Sequence, residues 1–317
     1  MRKYRLLLFA LVAPAIVAAQ GSGAFLTNPT DARSAAMGGA GVAVSGDAFS
    51  VFRNAAQLPT AERRLLAGYT IAEWSPELSA STLQHTVAVA FKPNERQAVY
   101  GGVRYLSHPS FEGFDDAGNA LGRFTPRDVA AEVGYARLLC RDFSASLTAR
   151  YLRLDLGTVA RNAVAFDVGL LYRHRFAATS PLASVAVGVQ AADFGTSPDF
   201  GSGSRPLPWR VKAGGSAELR LAQNHTLTAT AEAEYLFRPA ALRAWSGSFG
   251  AEYSCFGIGV LRGGYHLGDR SGGGWRYGTV GVGVQWRYVG ADAAYIIARR
   301  ECPLHNAWLV SLRVNIL

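Results

Sequence analysis

The residues able to do chemistry in this 317-residue chain are spread along its length and do not form one motif. Many segments alternate apolar residues with others, and the charged residues opposite the apolar face are predicted to point inward. They are Glu132, Arg150, Asp167, Lys212, Glu218, Glu232, Glu234, Glu252, Asp292 and Arg313. Carboxyl groups of this kind can act as general acids or bases, but the spacing singles out no catalytic pair. We therefore expect these charges to pair with one another inside the fold, and predict no catalytic residue and no enzyme activity.

Metal and cofactor chemistry has no clear motif either. The histidines, His85, His108, His174, His225, His266 and His305, have no ligand spacing. Gly38-Gly39-Ala40-Gly41 lacks the strand, helix and acidic residue of a dinucleotide site, and no Gly-x-Ser-x-Gly sequence occurs. The chain has an odd number of cysteines, which are Cys140, Cys255 and Cys302, so they cannot all pair in disulfides. We expect unpaired thiols, with a Cys140–Cys255 bridge as the alternative, and no metal or cofactor.

The elements that position these residues are predicted to be β-strands. From Arg63 onward, segments of 9–12 residues place an apolar side chain at every second position, and many apolar faces begin or end in Tyr or Trp. Such segments lie near 64–73, 83–91, 97–106, 128–138, 143–153, 163–174, 183–192, 209–221, 225–237, 244–253, 258–266, 277–287, 289–298 and 307–317. Aromatic girdles indicate membrane interfaces, whereas a soluble β-sandwich has shorter strands. The pattern predicts an all-β, transmembrane antiparallel barrel of about 14 strands.

The composition agrees with a barrel. Charged residues are 17% of the chain and mean hydropathy is only +0.09, values that suit neither an ordinary soluble protein nor a helical membrane protein. The net charge of +9 comes from scattered arginines without a nucleic-acid motif, so we expect no nucleic-acid partner. Basic rims could instead meet lipopolysaccharide in the outer-membrane lipid. Residues 1–19 are predicted to be a signal peptide, with a charged start, an apolar run and Val17-Ala18-Ala19 before Gln20.

Residues 20–62 differ from everything after them. They are rich in Gly and Ala and lack sustained alternation, so they bury too little apolar area to order themselves alone. We expect this segment, called the hatch below, to sit in a cavity formed by the barrel of residues 63–317. Its Arg33 and Arg53 are candidates to pair with the acidic residues of the lumen.

The hatch carries a recognisable signature. Asp31-Ala32-Arg33, Ala36 to Ala43, Asp47-Ala48-Phe49-Ser50 and Asn54-Ala55-Ala56 resemble the N-terminal segment of the PorV/PorQ family, relatives of the FadL-type fatty acid transporters. The resemblance covers roughly the first 40 mature residues, and Ala55 stands where the family usually has proline. It implies a hatch folded into the barrel lumen and a place in the outer membrane of a Gram-negative cell of the Bacteroidota. The motif residues are Asp31, Arg33, Met37, Gly38, Gly39, Gly41, Asp47 and Asn54.

The resemblance also implies a function. PorV-like proteins serve the type IX secretion system as adaptors that dock on the translocon barrel and bind the C-terminal signal domain of exported cargo. FadL-like relatives instead carry hydrophobic ligands through the hatch region, and a purely structural or scaffold barrel is the third alternative. An apolar, ligand-sized pocket would favour transport, and a charged, filled lumen would favour the adaptor.

Two predicted outer loops carry the candidate partner-contact residues. Loop 107–127 contains Phe111, Phe114 and Phe124. Loop 193–208 contains Phe200, and Trp209 directly follows it. Exposed aromatic side chains favour protein contact or ligand entry, but a loop folded over its own rim would explain them equally well.

Overall fold

The protein is a closed β-barrel whose lumen holds the hatch. The computed structural model describes residues 23–74, 76, 82–114, 118–201, 203–269 and 274–316, so the predicted signal peptide lies outside the described residues. Among the described residues no helix is long and apolar enough to cross a bilayer.

The described residues form sixteen strands. They are β1 (Leu65–Trp74), β2 (Thr82–Asn94), β3 (Gln97–Ser107), β4 (Phe111–Phe114), β5 (Ala120–Phe124), β6 (Arg127–Cys140), β7 (Phe143–Asp155), β8 (Ala160–Arg175), β9 (Leu182–Gly195), β10 (Arg210–Ala222), β11 (His225–Leu236), β12 (Ala244–Cys255), β13 (Gly259–Gly268), β14 (Arg276–Trp286), β15 (Val289–Ile297) and β16 (Trp308–Ile316). Helical segments are α1 (Ala32–Ala36), α2 (Ser50–Arg53) and 3-10 turns at Ala24–Thr27, Ala55–Thr60 and Ala240–Leu242.

Fourteen of these strands close the barrel, which confirms the predicted count. Each pairs antiparallel with its neighbour, and the circle closes where β1 meets β16, with Leu65 opposite Ile316. Alternation along each strand separates the two faces: on β7, Leu147 is 58% exposed and Thr148 is 3% exposed. The apolar side chains face outward, as contact with lipid requires.

The two ends of the barrel differ in the length of their connections. One end has short turns, such as those at 141–142 and 223–224, and also holds the start of β1 and the end of β16. The other end has the long connections, and β4 and β5 form a separate hairpin within one of them. In outer-membrane barrels the short turns face the periplasm. We call the two ends the turn end and the loop end.

The predicted strand boundary before Asp193 was wrong. The loop expected to begin at Asp193 begins later, because Asp193 to Gly195 continue β9 past a bulge where the β8–β9 register shifts. Asp193 has a φ of 64° there. A bulge adds one residue to one strand and re-aims a side chain, which a strict two-residue period cannot represent.

The hatch runs through the lumen from the loop end to the turn end. Near the loop end, Phe25 and Leu26 pack against Leu152 and Leu207. Near the turn end, Leu58 is fully buried in a second cluster. Glycines in the wall make room for hatch side chains, since a Cβ added at Gly68 would lie 2.7 Å from the Phe49 ring. The hatch therefore occupies much of the lumen and contacts its inner wall.

Candidate functional site

The charged residues of the hatch motif form one buried cluster. Arg33 Nη1 lies 3.1 Å from Asp47 Oδ2, and Arg53 lies 2.5 Å from the other oxygen of Asp47 and 3.0 Å from Asp31. Burial alone would raise the pKa of the Asp47 carboxyl, but Arg53 and Arg33 outweigh it and hold that pKa below its ordinary value. The acidic and basic residues of the motif thus fold the hatch onto itself.

Two motif residues fix the turns of the hatch backbone. Asp31 caps α1 by accepting a hydrogen bond from Ser34 N at 2.9 Å. Asn54 donates to Val42 O at 2.9 Å and to Leu170 O on β8 at 3.0 Å. Its Oδ1 accepts from Ala56 N at 3.2 Å, so the 3-10 turn that begins at Ala55 is capped without the family's usual proline. These side chains order a segment that is too poor in apolar area to order itself.

The small residues of the motif allow close approach to the wall. Gly38 and Gly39 have φ values of 71° and 90°, a region that side chains disfavour. A Cβ at Gly38 would also lie 2.7 Å from the Tyr265 carbonyl oxygen of β13. Met37 is fully buried, and a Cβ at Gly250 of β12 would meet its Cβ at 2.4 Å. Gly41 is needed for the same reason, because a Cβ there would lie 2.6 Å from Arg53 Cδ.

Gly38→Ala is expected to loosen the hatch more than Gly39→Ala. Both variants pay the strain of a positive φ, about 1 kcal/mol or more. Only the Gly38 variant also collides with the β13 backbone, since a Cβ at Gly39 meets nothing closer than 3.7 Å. Limited proteolysis and thermal unfolding of the two variants in detergent check this difference. Equal cleavage rates and equal midpoints would contradict the close approach at Gly38.

Arg33 joins the hatch cluster to the barrel. Its guanidinium makes a bidentate pair with Glu252 of β12, at 2.8 and 2.9 Å. A chain of ion pairs continues along the wall from Glu252 to Arg262, Asp292 and Arg313, with contacts of 2.6–2.7 Å. The expectation that Arg33 pairs with a lumenal carboxylate is confirmed. Arg53 was also expected to do so, but it bonds Asp31 and Asp47 within the hatch.

A second charged network follows the neighbouring strands β6 to β11. Arg150 is its centre and contacts three carboxylates: Glu132 at 2.8 Å, Asp167 at 2.6 Å, and Asp193. Arg210 extends the network. Its Nε lies 3.0 Å from Asp193 Oδ2, and its guanidinium also contacts an acidic residue of β11. The ion pairs beyond it join Lys212 to Glu234 and Glu232.

The second network ends on hatch backbone groups. Arg104 and Arg210 donate to the carbonyl oxygen of Leu26, at 3.2 and 2.6 Å. Glu232 Oε2 accepts from the backbone nitrogens of Gly41 and Val42, both at 2.8 Å. The carboxylate and guanidinium groups thus hold the hatch in place. Hydrogen bonds to a charged group are stronger than those between two neutral groups.

Little space is left above the hatch. The cavity beside Leu26, Phe52 and Arg53 measures about 80 Å³, and its wall includes Lys212 and His266. His266 stacks on Tyr277 at 4.8 Å between ring centroids. Among the described residues, no group of three or more His, Cys, Asp or Glu is placed to hold a metal ion. The absence of enzyme, metal and cofactor chemistry remains a prediction.

The candidate contact residues of the outer loops do not share one environment. Phe111 is exposed on the β4–β5 hairpin and its ring lies 5.8 Å from that of Phe124; Phe114 ends β4. Phe200 and Trp209 pack inward against the core cluster that contains Leu26, and Arg238 covers the Trp209 ring at 4.4 Å. A contact role for these side chains stays a prediction. Leu121, 60% exposed on the same hairpin, was not predicted.

The cysteines are free in the structure, so the alternative of a Cys140–Cys255 bridge is not realised. Among the charged lumenal residues that sequence reasoning missed are these four: Arg104, Asp193, Arg210 and Arg262. The alternation offered a signal for three of them, since Arg210 shares a strand face with Lys212. Asp193 gave no such signal because it follows the bulge.

The comparisons with known proteins agree with this architecture. The family model described as "Type IX secretion system protein PorV" matches residues 16–171. No curated protein gives a significant match. Among solved structures, the Ralstonia pickettii toluene transporter TbuX has 16% identity and a TM-score of 0.60, over 92% of this chain and 100% of its own. The Pseudomonas putida toluene transporter TodX has 11% identity and a TM-score of 0.57, over 91% of this chain and 99% of its own.

A Pseudomonas aeruginosa FadL homologue is also similar, with 11% identity, a TM-score of 0.53, and coverage of 90% of this chain and 97% of its own. Identities this low show a shared fold and no more. The hatch signature lies within the part of the chain that matches the family model. The chain thus has the fold of the FadL-like outer-membrane β-barrels, and its N-terminal part matches the PorV family model.

Proposed function

We propose that this protein is a non-enzymatic adaptor of the type IX secretion system, located in the outer membrane of a Gram-negative cell of the Bacteroidota. It binds the translocon barrel, the C-terminal signal domain of exported cargo, or both. The description of the matching family supports the link to secretion. The outward apolar face contacts the outer-membrane lipid, and the basic rims meet lipopolysaccharide.

The small, charged space on the loop side of the hatch is the observation that carries the adaptor role. Pockets that bind small molecules usually measure 300–1,000 Å³ and are mainly apolar. The cavity on the loop side of the hatch measures about 80 Å³ and is lined by several charged residues, among them Arg104, Arg210 and Glu234. A hydrophobic ligand there would have to displace paired charges, and each unpaired buried charge is costly. A barrel with this interior is better suited to contact other proteins than to pass hydrophobic molecules.

The β4–β5 hairpin is the part of the loop end that we assign to protein contact. It pairs with no barrel strand, and it presents Leu121 and Phe111, 60% and 47% exposed. Exposed apolar side chains grouped on one projecting element are typical of a binding surface. The adaptor binds its partners through this hairpin.

Affinity purification from detergent-solubilised outer membranes tests the proposal. We expect recovery of a giant translocon barrel or of exported cargo with its C-terminal domain. A barrel recovered alone that binds a fatty acid or another hydrophobic molecule would contradict the adaptor role and favour FadL-like transport.

Leu121→Ser is expected to reduce partner recovery by about tenfold. An apolar side chain at the centre of a contact contributes about 1–3 kcal/mol. Quantitative mass spectrometry of the purified complexes measures the loss. Leu139→Ser is the matched control, because Leu139 is 57% exposed but lies at the turn end. Equal recovery with both variants would exclude the hairpin as the contact surface.

A further inference from the structure

A basic vestibule lies below the hatch, at the turn end. It measures about 630 Å³, within the range of ordinary binding clefts. Its wall contains the last part of the hatch, Thr60 to Glu62, and residues of the strand ends around the mouth. The hatch separates it from the loop end, so the vestibule is distinct from the hairpin surface.

Every basic side chain in the vestibule wall is an arginine. Three of them, Arg33, Arg262 and Arg313, belong to the ion-pair chain described above. The others are Arg63, Arg173, Arg175, Arg220 and Arg287, and none has a carboxylate within ion-pair distance among the residues that the structure describes. The carboxylates left to offset them are Glu62, which is exposed, and Glu218, which accepts from Ser184 Oγ at 3.2 Å. The wall therefore has an excess of positive charge.

One of these arginines is buried and incompletely bonded. Arg173 is 6% exposed and its Nη2 donates to the hatch carbonyl of Ala43 at 2.9 Å. Its Nε has no hydrogen-bond partner. A buried donor without a partner is unfavourable and rare in folded proteins. An acceptor that entered the vestibule would supply the missing bond.

We propose that the vestibule binds an acidic peptide segment of a periplasmic partner. Guanidinium groups form bidentate pairs with carboxylates, as Arg33 does with Glu252 in this barrel. The arginines without a carboxylate partner stand at separate places around the mouth, before β1, on β8, on β10 and in the β14–β15 turn. An extended chain with several carboxylates reaches more of them than a compact phosphate does. Glu62 and Glu218 also repel a compact polyanion more strongly than a peptide whose negative charges are spaced apart.

The proposal is tested with purified full-length protein in detergent and fluorescein-labelled hexaglutamate, using hexaglutamine as the neutral probe. We expect saturable binding of hexaglutamate by fluorescence anisotropy, weakened as salt is raised, and no binding of hexaglutamine. The double variant Arg63→Gln/Arg287→Gln removes two exposed arginines that hold no hatch carbonyl. It is expected to weaken binding by about tenfold, which corresponds to about 1.4 kcal/mol, because two exposed ion pairs with the probe are lost.

Arg137→Gln/Arg141→Gln is the matched control, because both arginines are exposed near the turn end but do not line the vestibule. It should bind hexaglutamate like the wild type, as should Leu121→Ser. Inorganic tripolyphosphate serves as a competitor: displacement at lower concentration than unlabelled hexaglutamate would assign the site to phosphate and overturn the proposal. Non-saturable binding, or equal weakening by the test and control variants, would overturn it as well.

Discussion

Arg150→Met is expected to destabilise the barrel more than any other single substitution in the lumen. The variant leaves Glu132, Asp167 and Asp193 facing one another without the guanidinium that contacts all three. These carboxylates are at most 3% exposed, and removal of one partner from a buried ion pair costs about 3–5 kcal/mol. Methionine keeps an unbranched apolar stem of similar reach, so the main loss is the charge. We expect a clearly lower unfolding midpoint in guanidinium chloride, followed by tryptophan fluorescence in detergent.

Arg153→Met on the same strand is the control for this loss. Arg153 faces outward and is exposed, and it bonds no carboxylate among the described residues. Its replacement should leave the midpoint almost unchanged, within about 0.5 kcal/mol. If the two variants unfold at the same denaturant concentration, the lumenal carboxylates are solvated or protonated and the network does not stabilise the barrel.

The barrel itself was predictable because a period of two is a local property of the chain. On β7 the apolar side chains that face outward end with Tyr151, and the side chains that face inward include Arg150. The structure places both as the alternation predicts. The hatch followed from composition, since a Gly- and Ala-rich segment cannot fold without a cavity. The role of Arg33 could also be anticipated, because an arginine in the lumen needs a carboxylate and the strands supply many.

The features that could not be predicted arise from an irregular strand or from contacts between residues far apart in the chain. The bulge at Asp193 moves that carboxylate into the lumen between Arg150 and Arg210, and its sequence has no alternating signal. The pairing of Arg53 with Asp31 and Asp47 depends on how the hatch folds back on itself. The vestibule arginines come from strand ends far apart in the chain, so only closure of the barrel brings them to one mouth.

Deletion of residues 23–60 is expected to turn a closed barrel into an ion-conducting pore. Barrels of 16–18 strands enclose aqueous channels, whereas those of eight are filled by their own side chains. A lumen of 14 strands lies between these cases, and here the hatch occupies it from Leu26 to Leu58. Planar-bilayer recordings should show stepwise currents for the deletion variant, at least about tenfold above those of the intact protein. Arginines such as Arg173 and Arg220 in the mouth should favour anions.

Deletion of residues 111–124 is the matched control, since it removes the β4–β5 hairpin and leaves the hatch in place. Ser110 Oγ and Thr125 Oγ1 are 2.7 Å apart, so a short link can close that gap. This variant should stay closed. Arg33→Ala gives a second test should the first deletion fail to assemble, because loss of the Glu252 contact weakens the attachment of the hatch to β12 and should produce intermittent currents. A deletion variant that folds, shown by a heat-dependent shift on a denaturing gel, yet carries no current would mean that the lumen is closed by the strands' own side chains.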